Sequence, residues 1–118
     1  MNPEFLLKTA TVLLGITTVG GLFMAGLRFA GADRPPSWLA MFHGLLAASG
    51  LTLILYAGFA AGIPRLAWSG TALLLLAALV GTAINLGYHD KRQALPKWLI
   101  VVHTLLAVPG YGMILVSL

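Results

Sequence analysis

Two histidines sixty residues apart are the residues of this 118-residue chain best placed to do chemistry, because the segments around them repeat. Pro36-Ser37-Trp38-Leu39-Ala40-Met41-Phe42-His43-Gly44-Leu45-Leu46-Ala47 returns as Pro96-Lys97-Trp98-Leu99-Ile100-Val101-Val102-His103-Thr104-Leu105-Leu106-Ala107. The match runs on through Gly50/Gly110 and Ile54-Leu55/Ile114-Leu115. In a helix, Leu39, His43, Leu46, Gly50 and Ile54 fall at steps of three and four and form one face. That face is the one the copies share, so it predicts a packed, inward stripe carrying His43 and His103. Ionisable groups in apolar surroundings are costly and point to function. The three acids, Glu4, Asp33 and Asp90, all lie near segment ends, so a His-carboxylate metal site has no support. Zinc takes four ligands and would find two imidazoles here. Haem iron needs only two axial ligands, because the porphyrin supplies the other four. Two opposed neutral imidazoles, those of His43 and His103, fit that need.

The elements that must hold them follow from composition. The chain is 59% apolar and 8% charged with a mean hydropathy of +0.96, too apolar for a domain with a wetted surface. Four apolar runs are read: Phe5 to Phe29, Trp38 to Gly62, Trp68 to Tyr88 and Trp98 to Leu118. Each has about 20 residues or more, enough to cross a hydrocarbon core about 30 Å thick. The breaks, Ala32-Asp33-Arg34-Pro35-Pro36, Ile63-Pro64-Arg65 and His89-Asp90-Lys91-Arg92-Gln93, are charged and turn-forming. The reading is an all-α membrane protein, a single four-transmembrane-helix bundle over residues 1–118 with up-down-up-down topology. The first run is as long as the others and lacks a small-residue cleavage site where one is expected, so it is read as a span rather than a signal peptide. Thr11/Thr71, Leu13/Leu73, Leu14/Leu74 and Gly21/Gly81 extend the repeat to the first and third helices. Two helical hairpins, about 5–62 and 65–118, therefore run parallel about an axis along the membrane normal. The second and fourth helices then lie diagonally opposite, with their histidines at one depth.

Arg28, Arg34, Lys91, Arg92 and Lys97 gather at one end of this bundle and Lys8 and Arg65 at the other. The positive-inside rule places the first group in the cytoplasm and both termini outside, with the histidines towards the cytoplasmic side of the inner membrane. The formal charge of +4 thus reads as topology and headgroup contact rather than nucleic-acid binding. Trp38 and Trp98 belong at the cytoplasmic interface, Trp68 at the opposite one. No cysteine is present, so there is no disulfide framework, thiolate site or covalent c-type attachment. Phosphate loops, nucleophile elbows and paired carboxylates are absent too, which favours an electron-transfer protein over a stand-alone enzyme. His89, beside Asp90, is expected as a solvated loop residue, and Tyr56 and Tyr111 as candidates for internal hydrogen bonds.

With one axial His on the second helix, one on the fourth and glycines on the first and third, the chain resembles half of the haem-binding core of the membrane four-helix cytochrome b-type family. In members with two stacked haems each ligand helix carries a second His; here the position fourteen after His43 is Ala57 and after His103 is Ser117. The resemblance therefore implies a single-haem variant, with His43 and His103 as the iron ligands of one haem b, exchanging electrons with a quinone or another redox protein. Gly21, Gly26 and Gly81 are expected beside the ring. Arg28, Arg34 and Lys97 are expected at its propionates, where charge-assisted bonds are strong. A monomer and a dimer both fit. The alternatives are a haem sensor or carrier in which one ligand dissociates, a scaffold subunit with structural histidines, and a transporter-like protein. The last lacks a mid-membrane Asp or Glu.

Overall fold

A computed structural model describes residues 2–118 as four long helices with no strand. They are α1 (Pro3–Phe29), α2 (Ser37–Ala61), α3 (Arg65–Ile84), extended by a π-helical turn over Asn85–His89, and α4 (Lys97–Leu115). Asn2 caps α1, its side-chain oxygen accepting from the Glu4 N–H at 2.9 Å. The other three helices each begin directly after a proline, Pro36, Pro64 and Pro96. Proline favours extended φ/ψ just before helical residues and donates no N–H of its own. α2 stops at Gly62, whose φ of 87° a residue with a Cβ rarely adopts.

All four helices, α3 counted through His89, are long and apolar enough to cross a membrane, which makes the chain a multi-pass membrane protein. Its largest extent is 43 Å, close to the thickness of a bilayer with its headgroup regions, about 40–45 Å. Outward faces carry large apolar side chains such as Val19, Phe23, Phe59 and Leu79, which suits lipid rather than water. Trp38 and Trp98 are exposed at the starts of α2 and α4, whereas Trp68 is half-buried against Phe59.

α1 packs chiefly on α2 and α3 on α4, while α1 also meets α4 and α2 meets α3. α2 thus lies diagonal to α4. Residues sixty apart share their burial: Leu7/Ala67, Ala10/Gly70, Thr11/Thr71, Leu14/Leu74, Gly50/Gly110 and Ile54/Ile114 are all buried. Half of these form one tight core, in which Gly50 lets α2 close on Leu14 and the carbonyl of Ala10. A second, smaller cluster of Ile84, Leu95 and Ile100 lies at the other end. There the two loops are tied together: Leu95 N–H donates to Asp33 O (3.0 Å), His89 Nε2 to Pro35 O (2.9 Å) and Arg28 Nε to Leu95 O (2.8 Å).

The expected spans agree with these helices to within a few residues. His89 is not a solvated loop residue. The π-helical turn carries α3 one residue beyond Tyr88, and His89 is only 8% exposed.

Candidate functional site

His43 sits on the second turn of α2 and His103 on the second turn of α4, each five residues beyond a tryptophan. Each ring crosses to the preceding helix and donates Nδ1–H to a backbone carbonyl, His43 to Thr17 O at 2.9 Å and His103 to Ala77 O at 2.7 Å. Acceptors and donors alike are sixty residues apart. These carbonyls already receive their helical N–H, so the imidazole uses a second lone pair and the helix stays unbroken. The glycines matched in the repeat explain the close approach. A methyl group at Gly21 would stand 2.8 Å from His43 Cε1, and one at Gly81 3.0 Å from His103 Cε1.

A carbonyl can only accept, so both Nδ1 atoms carry hydrogen and both neutral rings have their lone pair on Nε2. No side chain or backbone group among the described residues bonds either Nε2. A bond at one imidazole nitrogen fixes the tautomer and the direction of the other, as it does in histidines that bind metals. The ring centres are 6.2 Å apart with the planes at 66°. Two metal–imidazole bonds of about 2.0–2.1 Å, each with roughly 1.1 Å from nitrogen to ring centre, separate ring centres by about 6.3 Å when one ion lies between them. Among the described residues no third His, Cys, Asp or Glu joins them.

Both rings line one cavity of about 540 Å³, within the range of small-molecule and cofactor sites. Its walls are matched at the same offset: Thr18/Ala78, Gly21/Gly81, Ala40/Ile100, Gly44/Thr104, Ala47/Ala107 and Ala48/Val108. Small residues dominate between the histidines, leaving a gap between the two packed clusters.

Of the other expected site residues, Gly26 has open space around it and is not part of the cavity wall. Arg28 is committed through Nε to Leu95, and Lys97 Nζ lies 5.5 Å from the centre of the Phe29 ring. Arg34 is half-buried beside Pro35, outside the wall. Sequence reading missed Asn85 and His89, both cavity-lining. Their signal was present, since they replace Ala25 and Phe29 of the first copy. Comparison with family models, with characterised proteins and with solved structures finds no match to the chain.

Proposed function

We propose that the chain is a small integral membrane b-type cytochrome with one haem held by His43 and His103. It passes single electrons between a quinol, or another membrane redox protein, and an acceptor on the cytoplasmic side of the inner membrane. The observation that carries this reading is the pair of matched Nδ1 bonds, which leave two Nε2 lone pairs on one cavity with ring centres 6.2 Å apart. Interhelical packing alone accounts for the Nδ1 bonds but gives no reason for two unpaired Nε2 atoms or for a cavity between them.

Haem bound there supplies a one-electron iron couple, and two protein ligands leave no open position for oxygen, which favours electron transfer. The chain's own residues orient and insulate. Thr17 and Ala77 hold the imidazoles through backbone carbonyls, Gly21 and Gly81 let the rings seat against α1 and α3, and the apolar walls exclude water. The topology that goes with this is up-down-up-down, two duplicated hairpins with the termini outside. The loops tied through His89–Pro35 and Leu95–Asp33 share one end, and most of the basic residues are there.

The test is the visible spectrum of the detergent-purified protein, oxidised and dithionite-reduced. Sharp α and β bands on reduction, absent from both His43→Ala and His103→Ala, are expected. Carbon monoxide binding by the reduced wild type would favour a sensor or carrier with a labile ligand. A colourless protein that takes up no haemin, with both variants folded, would leave the histidines a packing role.

A further inference from the structure

At the basic end of the bundle the two halves make the same tie with different donors. Leu95 and Pro35 match in the repeat, and each carbonyl is bonded from the helix end across from it, Leu95 O by Arg28 Nε at 2.8 Å and Pro35 O by His89 Nε2 at 2.9 Å. The donors are one residue out of register, since Arg28 matches Tyr88 and His89 matches Phe29. The π-helical turn over Asn85–His89 takes up that extra residue and sets His89 where the first copy has Arg28. The neutral imidazole gives its one N–H to Pro35, whereas Arg28 still has two terminal NH₂ groups with no hydrogen bond among the described residues.

A second cation spans the same junction. Lys97 opens α4, and its Nζ lies 5.5 Å from the ring centre of Phe29, the neighbour of Arg28. Neither cation is paired with a carboxylate: among the described residues the one ion pair is Lys8 with Glu4, at the opposite end. The matching junction of α3 with α2 holds Tyr88 and Ser37 in place of Arg28 and Lys97. The positive-inside rule counts the charges of a loop and is indifferent to which seam they face, so topology does not explain this asymmetry. Phe29 and Trp98 are exposed beside the two cations, at the ends of helices apolar enough to span a membrane. Aromatic rings at that depth belong at the headgroup level.

We propose that Arg28 and Lys97 bind the phosphate of one anionic phospholipid at the α1–α4 junction, on one side of the bundle only. The terminal nitrogens of Arg28, steadied by the Leu95 bond, offer the phosphate paired donors, and Lys97 adds a point charge. The exposed aromatic rings select a lipid over a phosphate free in water. Nothing in this depends on what the histidine pair binds.

The experiment loads the full-length protein, in one uncharged detergent, with phosphatidylglycerol or zwitterionic phosphatidylcholine and reads bound lipid by native mass spectrometry. Wild type should hold one phosphatidylglycerol at least about tenfold more tightly than phosphatidylcholine, the scale of two cations at a membrane surface. Lys97→Gln and Arg28→Gln should each lose most of that preference, while a Lys91→Gln, Arg92→Gln double variant, which removes two exposed cations from the same end, should keep it. Should Arg28→Gln misfold through loss of the Leu95 tie, Lys97→Gln still decides, because Lys97 is exposed and its Nζ makes no hydrogen bond among the described residues. Millimolar inorganic phosphate should not displace the lipid; displacement would assign the site to a soluble phosphate and overturn the proposal. No preference in wild type overturns it too, as does an equal loss in the double variant, which would mean diffuse attraction rather than a site.

Discussion

Gly21 lies against the imidazole of His43 so closely that a methyl group there would stand 2.8 Å from Cε1. No flexible chain end can yield, because the ring is fixed by its bond to Thr17. Gly21→Ala should push the ring off its carbonyl and out of line with His103, weakening haemin binding by about tenfold or more while the helices still form. Gly81→Ala, with its contact at 3.0 Å, should do the same less severely. Haemin titration of both variants beside wild type measures the difference; unchanged affinity in both would show that ring seating does not control the site.

A tighter restriction lies in the core, far from the histidines. A methyl group at Gly70 would meet the backbone oxygen of Gly110 at 2.6 Å, so only movement of a helix relieves it. Gly70→Ala should lower stability by about 1–3 kcal/mol, the cost of overpacking. Gly20→Ala meets nothing within 4 Å and should be close to neutral. Thermal unfolding in detergent, followed by circular dichroism, compares the two directly.

Tyr111 fastens α4 to α1, its hydroxyl donating to Thr11 O at 3.0 Å. The repeat partner is Leu51, so the α2–α3 seam has no equivalent. Tyr111→Phe should cost about 0.6 kcal/mol, the scale of interhelical hydrogen bonds in membranes, and leave the reduced spectrum unchanged. A spectral change would mean that the seam also shapes the site.

The four spans, the repeat and the histidine pair were legible in sequence because each rests on a local pattern: twenty-residue apolar runs, matched residues at a fixed offset, and a shared helical face. The matched Gly21 and Gly81 were legible as close-approach positions but not as seats for imidazoles, since that depends on side-chain direction across helices. His89 was misplaced because Asp90, Lys91 and Arg92 make the stretch read as loop, and no sequence period distinguishes a π-helical turn from a helix end. The contacts of Arg28 Nε with the Leu95 carbonyl and of Lys97 with the Phe29 ring were not legible, because those partners belong to distant stretches.

Orientation is testable with little background, because the chain has no cysteine of its own. Five of the seven basic residues, Arg28, Arg34, Lys91, Arg92 and Lys97, lie in or beside the two loops tied by His89–Pro35 and Leu95–Asp33, while Lys8 and Arg65 lie away from them. Counted over short loops, that asymmetry predicts that these loops face the cytoplasm. Gln93→Cys and Ala61→Cys report opposite ends, and both positions are exposed. A membrane-impermeant maleimide on intact cells should label Ala61→Cys and leave Gln93→Cys unmodified until the membrane is permeabilised. The reverse pattern would turn the bundle over, moving the histidine pair to the outer side, and would require the loop charges to serve headgroup contact rather than topology.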